Sequence, residues 1–154
     1  LFHFLPSKKV DSLCYQFGHF VALDSAQLIS GWKSVAIWKP VAGATRPGFT
    51  NVPVLEAIEP LAKLSFRFTG TAISIIIPAG PDVGVLDFAI DGKALGSKQQ
   101  FTAWSTGLNI PWTLNFAADL PMKEHVLTLT TSATKHAQST GTACRIIHFA
   151  VNGP

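Results

Sequence analysis

The sequence predicts an all-β fold, a β-sandwich or jelly roll of about eight short antiparallel strands with no substantial helix. Three observations predict it. Windows such as Lys63–Thr69 (KLSFRFT) and His125–Thr131 (HVLTLTT) alternate polar and apolar residues, which is the period of a strand with one buried face. Twelve glycines and ten prolines supply turns and break helices. Hydrophobic residues make up 47% of the chain and charged residues only 14%, enough apolar surface to offset the entropy of ordering and exclude disorder. The 154 residues are the size of one domain with its own core.

Residues 1–12, with Pro6, Ser7 and the pair Lys8-Lys9, read as a lead-in or linker, and residues 13–154 as the sandwich. With no initiator Met and no cationic-then-apolar leader, Leu1 is either a processed terminus or the edge of something longer. Phe17–Leu23 (FGHFVAL) is the first predicted strand. Residues 24–31 (DSAQLISG) offer an Asp or Ser N-cap and a Gly stop, a turn or short helix at most. From Trp32 the chain reads as irregular through Pro40, Gly43, Pro47, Gly48, Pro53 and Pro60, with a turn at Thr45–Phe49.

Lys63–Thr69 is then a strand, turned by Gly70-Thr71. Ala72–Ile77 is a β-branched run suited to a strand buried on both faces, and Pro78–Asp82 is a tight loop. Gly84–Ile90 is a strand with Leu86, Phe88 and Ile90 on one face. Asp91-Gly92 is the strongest hairpin signal, because this pair tolerates a primed turn. Phe101–Trp104, Trp112–Phe116, His125–Thr131 and Arg145–Val151 are the remaining predicted strands, the last with Ile147, Phe149 and Val151 on one face.

Twelve Lys and Arg stand against nine Asp and Glu, for a formal charge of +3 and a pI near 9.0. The cations are scattered singly, without the basic stripe and interleaved aromatics that nucleic-acid binding needs. Apolar runs such as Ile75–Ala79 fall far short of the ~18 residues of a spanning helix, so neither nucleic acid nor a membrane is an expected partner. The two cysteines, Cys14 and Cys144, lie near opposite ends. If the terminal segments pair as neighbouring strands, a disulfide between them closes nearly the whole chain and stabilises it by ~4 kcal/mol in the chain-entropy model, which requires an oxidising compartment. Otherwise each is a small buried thiol.

Searches for catalytic patterns find no GxSxG, HExxH or phosphate loop. Leu23-Asp24-Ser25 lacks the preceding glycine and the α/β scaffold of an esterase nucleophile block. His3, His19, His125, His136 and His148 show no metal-ligand spacing: His148 reads as a satisfied sheet histidine, His125 and His136 as surface. Of three neighbouring carboxylates, Asp91 belongs to its turn, Asp87 is expected to pair with Arg67, and Asp82 is left free in its loop. Aromatic side chains carry the more specific signal. Trp104 and Trp112 flank the polar stretch Ser105–Pro111. A sugar ring has apolar C–H faces rimmed by hydroxyls, so its site needs an aromatic platform beside a few placed polar groups. Asp82, Asn109, Arg46, Gln99 and Gln100 are candidates for the polar part; the competing reading buries both indoles in the core.

Phe68–Ala72, Ala79–Leu86 and Ile90–Gly92, together with Thr45–Phe49, Phe101–Ser105, Leu108–Trp112 and Ala143–Phe149, resemble the jelly-roll accessory domain of bacterial SGNH (GDSL-type) esterases over roughly residues 13–152. The resemblance implies a non-catalytic carbohydrate-binding module appended to a polysaccharide-active esterase, secreted or periplasmic in a bacterium, whose partners are polysaccharides and a covalently linked esterase domain. The Ser-His-Asp machinery of such proteins lies in the SGNH domain, whose sequence blocks are absent here, so no catalytic residue carries over. The alternatives are a structural domain packed against an esterase without a ligand of its own and, third, a stand-alone hydrolase. No cofactor is expected beyond a structural calcium held by loop oxygens.

Overall fold

A computed structural model describes Asp11, residues 15–46 and residues 48–154. The 1–12 segment apart from Asp11, Cys14 and Pro47 lie outside the described residues. The elements are β1 (Gly18–Val21), a 3-10 turn (Leu23–Ser25), β2 (Ala26–Ser30), β3 (Lys33–Trp38), β4 (Ala44–Thr45), β5 (Val52–Ala57), β6 (Lys63–Gly70), β7 (Ala72–Ala79), β8 (Val85–Ile90), β9 (Lys93–Gln99), β10 (Leu108–Ala117), β11 (Lys123–Thr131), β12 (Cys144–Ile146) and β13 (His148–Asn152).

Alternation along the strands turns into two five-stranded sheets, ordered β1-β13-β7-β10-β4 and β2-β6-β11-β8-β9, with a three-stranded sheet β12-β5-β3 at one side. The expected β-sandwich is thus the fold. Ile73, Ile75 and Ile77 of β7, Leu114 and Phe116 of β10, and Phe149 and Val151 of β13 bury one inner face. They meet Leu64, Phe66 and Phe68 of β6, Leu86, Phe88 and Ile90 of β8, and Leu127 and Leu129 of β11. Phe66 stacks on Phe149 with centroids 4.0 Å apart, and Phe88 meets Phe116 at 5.1 Å. Each such side chain contributes roughly 1.5–3 kcal/mol on burial. Asp91 and Gly92 take φ of 51° and 78° between β8 and β9, the primed turn that the pair allows.

Several local expectations are corrected. Residues 24–31 contain a strand, β2, on the edge of the second sheet. The stretch after Trp32 holds β3, β4 and β5. Pro53 is tolerated in β5 because β12 pairs only with Leu55–Ala57 and the β3 ladder is irregular between Val35 and Trp38. Phe101–Trp104 is not a strand but the start of a chain of turns. Arg145–Val151 is two strands: the chain leaves the three-stranded sheet at Ile147, which is buried with Trp38 and Val54, and enters the first sheet. Arg67 pairs with Glu124 at 2.6 Å, while Asp87 accepts from Ser97 Oγ at 2.5 Å, so the expected Asp87–Arg67 pair does not form.

Candidate functional site

The four tryptophans divide cleanly. Trp32 and Trp38 are buried, whereas Trp104 and Trp112 are 62% and 43% exposed. Trp104 is pushed outward by a turn closed on its own hydroxyls. Ser105 Oγ accepts from Thr102 N at 2.9 Å, and Ser105 N and Leu108 N donate to Thr102 O and Trp104 O, each at 3.1 Å. Trp112 opposes the core residue Ile77 across the β10–β7 ladder, yet it stays open. β4 covers β10 only at Leu108 and Asn109, so beyond them β10 is an edge strand. Thr45 pairs with Asn109, and the exposed Arg46 follows Thr45 directly in the chain. Leu108 and Trp112 are about 13 Å apart along the strand. Gln99 is exposed at the end of β9 in the other sheet, its Oε1 accepting from Phe101 N at 3.0 Å.

Asp82 and Asn109 belong to a different place. Both line a cavity of about 350 Å³ with Trp38, Pro81, Thr140 and Arg145. Asp82 is not free: both its oxygens accept from Arg145, at 2.9 and 2.8 Å, and Arg145 Nε donates to Glu56 Oε1 at 2.9 Å. The buried guanidinium lies over the Trp38 ring, 5.5 Å from its centroid. Burial disfavours the Arg145 charge, but the hydrogen bonds and charges of Asp82 and Glu56 outweigh it and push the pKa up. Burial likewise raises the Glu56 carboxyl, and hydrogen bonds from Arg145 and Lys33 reverse this and hold it below its usual range. Asn109 is clamped too. Its Nδ2 donates to Ala42 O at 2.7 Å, and a Cβ on Gly80 would stand 2.0 Å from its Oδ1, so only glycine lets the amide in.

Of the expected site residues, Asp82 and Asn109 lie around Arg145, Trp104 and Trp112 are exposed before and within β10, Arg46 follows β4, and Gln99 ends β9 in the other sheet. A loop calcium does not fit Asp82, since Arg145 occupies both oxygens; no cluster of three or more His, Cys, Asp or Glu side chains exists among the described residues. Cys144 is fully buried, which pushes its thiol far above the usual range; Cys14, its expected partner, lies outside the described residues.

The histidines also differ from expectation. His125 is buried, with Nδ1 2.8 Å from Asp91 Oδ2 and Nε2 2.9 Å from Pro121 O, and so ties the β8–β9 turn to the loop before β11. Hydrogen bonds from His125 and from the Val126 N–H hold Asp91 below the usual carboxylate range. His148 is exposed and stacks on Phe20 at 4.6 Å, and His136 stacks on Phe101 at 4.5 Å. None of the histidine contacts among the described residues is to a serine, threonine or cysteine side chain, so no nucleophile–base pair is assembled there.

Sequence reasoning missed a second concavity altogether. A groove of about 600 Å³ crosses the outer face of the first sheet, walled by Tyr15, His19 and Phe20 and floored by alanines of β7, β13 and the end of β10.

No family model and no curated protein matches the sequence. Solved structures do match in fold. A two-domain esterase active on acetylated mannans superposes with a TM-score of 0.60 at 11% identity, over 95% of this chain and 38% of that one. A Paenibacillus xanthan lyase gives 0.57 at 12% identity, over 82% of this chain and 12% of that one. An exo-β-1,3-galactanase from Phanerochaete chrysosporium gives 0.52 at 12% identity, over 86% and 28%. The chain thus spans well under half the length of each of these proteins. At such identities the likeness establishes the β-sandwich and nothing finer.

Proposed function

We propose that this chain is a non-catalytic carbohydrate-binding domain, secreted or periplasmic, and an appendage of a polysaccharide-active esterase of the SGNH type. The observation that carries the reading is the exposure of Trp104, in the turn before β10, and of Trp112, in β10 at an open end of the core face. An indole left half-exposed loses the hydrophobic gain of burial. Two exposed indoles offer a platform for the C–H faces of sugar rings, and the exposed Arg46 guanidinium is a donor for hydroxyls. Asp82 and Asn109 support the neighbouring loops instead. The fold is shared with domains of polysaccharide-active proteins, including the two-domain esterase, which agrees with an appended role.

Each sugar hydrogen bond replaces one to water, so affinity is modest, about −4 to −8 kcal/mol. Affinity electrophoresis against neutral plant and algal polysaccharides tests the reading. The expected result is retardation by at least one of them, weakened about tenfold by Trp104→Ala and by Trp112→Ala with the melting temperature kept. If no polysaccharide retards the wild-type chain, or if both substitutions only destabilise it, the reading fails. A second reading, a structural domain docked on an esterase, is favoured by the exposed Leu28 and Ile29 on edge strand β2; absence of all sugar binding would leave it in place. Release of acetate from acetylated sugars by the chain would overturn both.

A further inference from the structure

We propose that the groove on the outer face of the first sheet is a second binding site, selective for neutral glycans that carry O-acetyl groups. The inference rests on the carbohydrate-binding reading and adds to it a place and a ligand class.

The groove arises from register. β7 turns Ile73, Ile75 and Ile77 inward, so Ala72, Ser74 and Ile76 face out. Ser74 pairs with Ala150 of β13 and with Asn115 of β10, and Ala150 pairs in turn with Phe20 of β1. One line across four strands therefore reads Phe20, Ala150, Ser74, Asn115. Aromatic residues occupy one end, a side-chain amide the other, and small residues the middle, so the centre is low and the margin high. Phe20 is 61% exposed and held flat against His148, with an interplanar angle of 11°.

Charge narrows the ligand. Among the described residues, no Asp, Glu, Lys or Arg lines the groove. A uronic-acid or sulfated chain would lose the hydration of its charge here without an opposite charge in return. A neutral chain meets no such cost.

The lining narrows it further. Ala72, Ala117, Ala118 and Ala150 make a floor with more methyl groups than hydroxyl-rich sugars call for. A bare pyranose would set hydroxyls on that floor without partners. An acetyl ester offers what the floor lacks, a methyl group with one strong acceptor and no donor. The donor lies beside the floor. Ser74 Oγ donates to Asn115 Oδ1 at 2.7 Å, which orients the amide and leaves the Asn115 Nδ2 hydrogens for an ester carbonyl. His19 Nδ1 faces Phe17 O at 3.1 Å; as the carbonyl can only accept, a neutral ring keeps Nε2 as an acceptor for a sugar hydroxyl. Together these make an apolar concavity with a few placed polar groups, the general form of a small-ligand site.

The test compares native O-acetylated glucomannan with the same polysaccharide deacetylated in dilute alkali, by affinity electrophoresis of the full chain. Variants are Ala150→Trp, which fills the groove from an outward position, and Phe20→Ala, which removes an exposed ring; melting curves verify folding. The expected result is about tenfold tighter binding to the acetylated form. Either groove variant should erase that preference, while Trp104→Ala weakens both forms alike. Equal binding of the two forms, or a preference that survives both groove variants, overturns the groove assignment and leaves the carbohydrate reading standing. Failure of the wild-type chain to bind either form, or any polysaccharide of the neutral panel, overturns both.

Discussion

The two outer faces of the sandwich are built from strands of similar length but opposite chemistry. On the second sheet the outward positions carry Arg67 against Glu124, Ser65 against Gln27, and Asp87 against Ser97. These are short polar pairs that satisfy each other and water, as expected of a sheet with one solvated face. On the first sheet the outward positions carry Phe20, His148, Ile76, Ala72 and Ala150 among the polar Ser74, Thr113, Asn115 and Asn152. Solvation alone does not call for exposed rings beside an alanine floor. The second face shows what this chain does where a surface only has to face water, and the first shows a surface shaped for something else.

The strongest way to break the comparison is to remove what both faces stand on. Phe149→Ala deletes a fully buried ring stacked on Phe66 and is expected to cost about 3–5 kcal/mol in denaturant titration, with probes on both sheets melting together. Arg145→Met comes next, at about 3 kcal/mol, toward the low end of what breaking a buried pair costs because Asp82 keeps 38% of its side chain exposed. The same network sets an acid dependence. The Glu56 carboxyl is held below its unfolded value, so its contribution is present above the ordinary carboxylate range and is lost as pH falls through the folded value. Arg145→Met should flatten that part of the stability–pH curve.

Smaller effects sharpen the contrast. A bulky residue placed outward on each sheet in turn, Ala150→Trp on the first and Thr128→Trp on the second, should weaken binding of acetylated glycan about tenfold in one case, near 1.4 kcal/mol, and not in the other. The least effect belongs to Glu124→Gln. That ion pair is exposed on both partners, and its loss should change stability by less than about 1 kcal/mol.

Much of the sandwich was legible because its central strands obey a local rule. β6, β8 and β11 alternate strictly, and Asp91-Gly92 announces its own turn. The strands that went unread lack that pattern. β2 and β3 lie at sheet edges with little to bury, and β5 carries Pro53 where the ladder is irregular. The break at Ile147 is a change of sheet, which alternation cannot show. At the candidate site, the polar stretch between Trp104 and Trp112 left both a solvent-facing and a core reading of the indoles open, and the turn hydrogen bonds around Ser105 settle it only for Trp104. The engagement of Asp82 was not, because Arg145 is 63 positions away. The groove was unreadable for the same reason: Phe20, Ala150, Ser74 and Asn115 are neighbours only through cross-strand register.

The central claim is that sugar is held on outward aromatic surface of the first sheet and its β10 rim. It is tested most directly by amide chemical-shift mapping with an acetylated manno-oligosaccharide. The account predicts perturbations at Phe20, Ser74, Asn115 and Ala150 and at the Trp104 and Trp112 indoles, with Arg67, Glu124 and Thr128 silent. Perturbations centred on the Arg67–Glu124 face, or none with any oligosaccharide, would contradict it.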